Sequence, residues 1–204
     1  MSNIYFGGFM DYNCLAYSMV YGIEQVLAQR RHLPRIMIVY YREDDPAKNT
    51  ALKMIRKNLA IHIYPRRIHG SPIILDPYSN KYLGPWDHIY VEKHGIVVVD
   101  ASWKKLAPRK TIMIRGQHRK LPPLLPGNPI NYGKPCILSS IEAVAATLYI
   151  TGFIEAYEKL LGLYKWMKTF HTLNNEVLEA YRRTRNYNEL LETIKDYWGE
   201  KPPC

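Results

Sequence analysis

Carboxylates are missing from residues 101–141 of this 204-residue chain. The same stretch carries eight cations: Lys104, Lys105, Arg109, Lys110, Arg115, Arg119, Lys120 and Lys134. A solvated face usually mixes charges, so a one-sign run of this length reads as a phosphate-facing surface. The whole chain leans the same way. Its 28 basic and 18 acidic residues leave a net charge of +10, which points to a polyanionic partner with nucleic acid foremost. Cysteine is scarce. Cys14, Cys136 and Cys204 are odd in number and far apart, which excludes a disulfide framework or a zinc pattern and predicts an intracellular, cytoplasmic protein without structural metal. His32, His62, His69, His88, His94, His118 and His171 show no ligand spacing such as HExxH. Long apolar runs are absent too: the longest, residues 143–154, lies between Glu142 and Glu155 and is too short to span a membrane. The N-terminus lacks the basic start of a secretory signal.

What is present is a foldable chain, with 47% hydrophobic residues and 12% aromatics. Residues 1–34 fit poorly with the rest, and we read them as an extension of unknown role. Residues 35–103 read as an α/β domain. Apolar strands are expected at 36–41, 61–64, 73–75 and 96–99, and a helix capped by Asp44-Asp45-Pro46 runs to about Leu59. Alternating strands and helices favour a mainly parallel sheet. Residues 104–204 begin with a strand at 111–114 and turn helical, over 139–151, 153–162, 164–171, 174–184 and 187–197, with Asn174, Asn175 and Asn186 read as caps. The aromatics of that end, Tyr157, Tyr164, Trp166, Phe170, Tyr181 and Tyr197, read as core rather than as a base-stacking platform.

Residues 124–146, LLPGNPINYGKPCILSSIEAVAA, join a rigid loop to a small-residue helix. Asn128-Pro129 and Gly133-Lys134-Pro135 fix two tight bends. Ser139-Ser140 followed by Glu142 has the form of a helix N-terminus. Such a junction either offers backbone N–H groups to an anion or is an ordinary structural turn.

Five blocks then carry a resemblance: DDPAKNTALKMIRKNLA (44–60), ILDPYSNKYLGPWD (74–87), HGIVVVDASW (94–103), RKLPPLLPGNPINYGKP (119–135) and LSSIEAVAATLYITGF (138–153). In this order they resemble the small-subunit (16S/18S) rRNA aminocarboxypropyltransferases, in their archaeal form. The resemblance implies an α/β fold with an N-terminal α/β part, a SPOUT-like part with a trefoil knot, and a helical C-terminal end. It implies S-adenosylmethionine as donor, its 3-amino-3-carboxypropyl chain as the transferred group, and an N1-methylpseudouridine of small-subunit rRNA as acceptor at N3. Three departures stand out: Asn49 and Ala101 occupy positions where the family usually has cysteine, and Leu83-Gly84-Pro85 stands for LSP.

The resemblance also assigns roles. Trp103 packs beside the cofactor, and Thr50 holds its carboxylate. Leu75 and Pro77 wall the adenine, and Val99 offers backbone groups to the ribose. Leu121, Leu138, Ser139 and Ser140 form the opposite wall. Asp100 ends an apolar strand, where α/β folds expose functional groups. It is read either as a working carboxylate, accepting the uracil N3 proton or steering the cofactor's cationic groups, or as the cap of the turn at Ser102. The expected protein is therefore a monomeric enzyme of ribosome biogenesis acting on small-subunit rRNA or the pre-ribosomal small subunit. The alternatives are a SPOUT-type methyltransferase using the same cofactor and a non-catalytic RNA-binding assembly protein.

Overall fold

The computed structural model describes residues 33–41, 49–100 and 113–204. Every element below belongs to the compact unit Pro34–Cys204. Its frame is five parallel strands: β1 (Ile36–Tyr40), β2 (Ile61–His62), β3 (Ile73–Leu75), β4 (Ile96–Asp100) and β5 (Gln117–Arg119), in the order β2-β1-β4-β3-β5. IMIVY and IVVVD are apolar at nearly every position because both faces of these strands are covered. Ile36, Ile38, Ile73, Leu75, Ile96 and Val98 face the large helical core. Met37, Val39, Ile74, Val97 and Val99 face a smaller cluster with Ile68 and Ile114.

The strands at 36–40, 73–75 and 96–100 match the apolar runs. The expected strand at 111–114 does not: Met113 and Ile114 form a turn, and β5 follows three residues later. The Asp44-Asp45-Pro46 cap lies outside the described residues. Helix α1 (Thr50–Arg56) is capped by Asn49, whose Oδ1 accepts the Leu52 N–H at 2.8 Å. Helix α2 (His88–His94) carries too short an apolar pattern to be recognised in sequence. Gly95 ends it at φ 85°, where an added Cβ would stand 2.2 Å from the Arg35 carbonyl oxygen.

Four helices complete the unit: α3 (Ser140–Ile150), α4 (Ile154–Leu161), α5 (Met167–Arg183) and α6 (Tyr187–Trp198). Helix α3 is apolar on all sides because it touches β4, α1, α4 and α5. Helix α5 joins the two helices expected at 164–171 and 174–184. Asn174 does not cap anything. It is buried inside α5, accepts the Leu125 N–H at 2.8 Å and donates to the Leu125 carbonyl at 2.7 Å. Tyr157, Phe170 and Tyr181 are core residues, whereas Tyr197 is exposed.

Cysteine spacing misled. Cys136 and Cys204 form a disulfide across 68 residues, and the Tyr82 hydroxyl donates to the Cys204 carbonyl at 2.7 Å. The C-terminus is thereby pinned to the loop that precedes α3. Loop closure over this separation contributes about 4 kcal/mol in the chain-entropy account. Cys204→Ser is expected to lower unfolding free energy by about that amount in denaturant titration, with a matching loss when wild type is reduced. Equal stability of oxidised and reduced wild type would show that the tether contributes nothing.

Candidate active site at the carboxyl ends of the strands

Strand order marks the crevice. The connection from β1 leads outward to β2, while that from β4 leads the other way to β5. The carboxyl ends of the adjacent strands β1 and β4 therefore form a topological switch point, the usual ligand crevice of open parallel sheets. Asp100 lies there, paired in register with Tyr40, and Tyr41 N–H donates to the Asp100 carbonyl at 3.2 Å.

The Asp100 side chain is buried and bridges two helix starts. Asn49 Nδ2 donates to Oδ2 at 2.6 Å, and Ser140 Oγ donates to Oδ1 at 2.7 Å. Asn49 caps α1 and Ser140 opens α3, so one carboxylate fixes both helices against the end of β4. Asp100, Thr50, Leu138, Ser139 and Ser140 are thus brought together by the fold. Leu75 closes β3, and Pro77 follows it, exposed. Leu75 pairs with Arg119, so Pro77 and Leu121 each stand two residues beyond the paired ends of adjacent strands. The Val99 side chain is buried in the smaller core cluster, which leaves its backbone as the part available to a ligand. Trp103 lies outside the described residues.

The anion at the loop-to-helix junction is the protein's own. Glu142 is fully buried. Its Oε1 accepts the N–H groups of Gly127 at 2.7 Å and Asn128 at 3.1 Å. Its Oε2 accepts Ser139 N–H at 2.7 Å and Ser139 Oγ at 2.6 Å. The reach back to the cap residue is that of a capping box. Three of the N–H groups that the sequence offered to an external anion are therefore taken by Glu142. Gly127 is required at this contact, because an added Cβ would stand 2.3 Å from the Phe170 backbone nitrogen.

The matching family model, Ribosome biogenesis protein, C-terminal, covers residues 73–198. A 16S rRNA aminocarboxypropyltransferase of Methanocaldococcus jannaschii is 41% identical over 81% of this chain and 96% of that protein. One of Sulfurisphaera tokodaii is 44% identical over 79% and 94%. The chain belongs to this aminocarboxypropyltransferase family. The solved structure of the SAM-dependent rRNA:acp-transferase from Vulcanisaeta distributa is 39% identical, covers 82% of this chain and 90% of its own, and superposes with a TM-score of 0.74.

In this family member the cations of the acid-free run divide. Lys104, Lys105, Arg109 and Lys110 lie outside the described residues. Arg115 and Lys134 are exposed, and Lys120 sits 4.2 Å over the Tyr82 ring. Arg119 departs from the expected phosphate role. Its guanidinium is turned inward onto buried Asp87, with Nη2 at 3.0 Å and Nε at 3.1 Å, because Asp87 needs a partner where it also accepts the Gly84 N–H. Sequence reading also missed Asn49, noted only as a replacement for cysteine. The helix expected from Asp44-Asp45-Pro46 runs through position 49, which hid Asn49 as the cap of a helix that starts at Thr50.

Burial pushes the Glu142 carboxyl above its ordinary 4.5, against the opposing hydrogen bonds from Ser139, Gly127 and Asn128. A group with a raised folded pKa stabilises most below its unfolded pKa, and that contribution declines as pH rises through the folded value. Glu142→Ala leaves buried N–H donors unpaired and is expected to cost about 3 kcal/mol or more by chemical denaturation. The gap from wild type should be wider at pH 4 than at pH 8. An equal gap at both would contradict the raised pKa.

Proposed function

We propose that this chain transfers the 3-amino-3-carboxypropyl group of S-adenosylmethionine to N3 of an N1-methylpseudouridine in small-subunit rRNA, releasing methylthioadenosine. The observation that carries the reading is Asp100, buried at the switch point and hydrogen-bonded to the starts of both α1 and α3. The 41% and 44% identities to proteins named for this activity support it. When bound, S-adenosylmethionine supplies an activated carbon on a sulfonium whose departure as a neutral thioether needs no general acid.

The chain supplies position and a proton acceptor. Thr50, Ser139 and Ser140 bring hydroxyls to this end of the sheet, the two serines keeping oxygen lone pairs beyond their bonds to Glu142 and Asp100, and Leu75 and Leu138 bring buried apolar side chains. This mixture suits a donor with a polar amino-acid end and an adenine. Thr50 holds the carboxylate, Leu75 and Pro77 face the adenine, Val99 binds the ribose through its backbone, and Leu121 and Leu138 close the far side. Trp103 packs beside the donor in this reading. A sulfonium has three carbons open to attack, so orientation of the donor decides which one reacts. Asp100 accepts the N3 proton as the N3–carbon bond forms. Arg115, Lys120 and Lys134, with Lys104, Lys105, Arg109 and Lys110, hold the RNA phosphates.

The SPOUT-like, trefoil-knotted topology belongs to the same proposal, supported by the all-parallel sheet. So does a division near residue 103, across which β5 joins the sheet of the first part. Cytoplasmic location and action as a monomer are part of it too, the latter supported by a helical end folded into the same compact unit. Among the described residues no helix is long and apolar enough to cross a membrane.

The test uses small-subunit rRNA and S-adenosylmethionine labelled separately in the methyl and carboxyl carbons. Carboxyl label alone should enter the RNA; methyl label alone would make the protein a methyltransferase. Asp100→Asn should slow single-turnover transfer by about 10²-fold or more, a larger loss than it causes in donor affinity. An unchanged rate would remove Asp100 as the base.

A further inference from the structure

The acid-free run at 101–141 has a counterpart earlier in the chain, which includes the edge strand β2. Residues 47–75 also contain no carboxylate and carry six cations: Lys48, Lys53, Arg56, Lys57, Arg66 and Arg67. Most cations of the helical end are matched by acids, Lys165, Lys168 and Lys201 aside: Lys159 with Glu155, Arg182 and Arg183 with Glu179, Arg185 with Glu189, Lys195 with Glu200. Arg66 and Arg67, in the turn that follows β2, are exposed and form no ion pair among the described residues. Uncompensated charge on one rim has its natural complement in a polyanion.

The same rim carries exposed aromatic surface. Tyr64 is 61% exposed, and its ring meets the exposed His62 ring edge-on at 5.0 Å. Register shows where they stand. Ile38 pairs with His62, and Tyr40 pairs with Asp100. Tyr64 continues β2 in extended conformation, two residues past His62, and so stands level with Tyr40 and Asp100. Residues level across parallel strands share a face of the sheet. Tyr64 and Asp100 therefore lie on one face at one end, separated by two strand spacings, about 10 Å. Arg66 and Arg67 follow at once in a 3-10 turn.

We propose that this rim binds single-stranded RNA beside the reacting nucleotide, with Tyr64 stacking on an unpaired base and Arg66 and Arg67 holding flanking phosphates. The proposal rests on the functional reading above and adds a second contact surface to it, on the β2 side. An unpaired base suits an exposed phenol ring because every base offers a π-face, whatever the sequence. Single-stranded RNA is favoured over a protein partner because, among the described residues 49–75, exposed cations stand with aromatic rings and no acid.

The test is fluorescence anisotropy with a labelled single-stranded RNA of about 12 nucleotides. Tyr64→Ala should weaken binding about tenfold, and Tyr64→Phe should keep it. Arg66→Glu with Arg67→Glu should weaken it further and flatten the salt dependence by about two charges. Donor affinity, measured by calorimetry on the same proteins, should stay at the wild-type value, which also shows that the variants fold. Wild-type RNA affinity and salt slope in all variants would overturn the proposal. So would variants that bind free RNA normally yet lose affinity for assembled small subunits, which would mark a protein contact. A wild type that binds RNA through this rim but no S-adenosylmethionine would instead refute the functional reading.

Discussion

Glu142 is the interaction on which the rest of the site depends. A buried carboxylate is tolerated only when its oxygens are satisfied, and here they are satisfied by three backbone N–H groups and one hydroxyl. Those donors come from two places in sequence, Gly127-Asn128 and Ser139. The carboxylate therefore clamps the Pro/Gly loop onto the start of α3. Other anchors repeat the pattern. Asn174 binds both backbone groups of Leu125, Tyr181 donates to the Pro123 carbonyl, and Cys204 holds Cys136. A loop without regular structure becomes as fixed as a strand.

That rigidity matters because α3 begins at the site. Ser140 meets Asp100 only if the turn before it is held, and Asp100 in turn meets Asn49 at the start of α1. Three segments remote in sequence converge on one carboxylate at the switch point. Transfer from a sulfonium makes its main demand on orientation, since three carbons compete for the same nucleophile. A crevice framed by strand ends and two pinned helix starts meets that demand better than mobile loops would.

The sequence disclosed the strands best, where buried parallel pairing forces continuous apolar runs such as IMIVY and IVVVD. It disclosed less wherever a polar residue serves the interior. Asn174 has the composition of a cap and a function inside the core, so one helix was read as two. Arg119 looked like surface charge because its partner Asp87 is remote in sequence. Cys136 and Cys204 sit too far apart for spacing to reveal their bond. Asp100 was legible from its place after an apolar strand; Asn49, its partner, was not, because only the fold brings them within 2.6 Å. The junction at Ser139-Ser140-Glu142 was legible as a cap, but the sequence left open whether the loop's N–H groups served an external ligand or the turn itself.

The most direct measurement of the clamp is native-state amide hydrogen exchange at Gly127, Asn128 and Ser139. These N–H groups point at a buried carboxylate, so they should exchange only through large-scale unfolding, in the same slow class as the amides of β4. Exchange at rates typical of surface loops, with β4 still protected, would show that Glu142 does not hold the loop and would contradict the account of how the site is built.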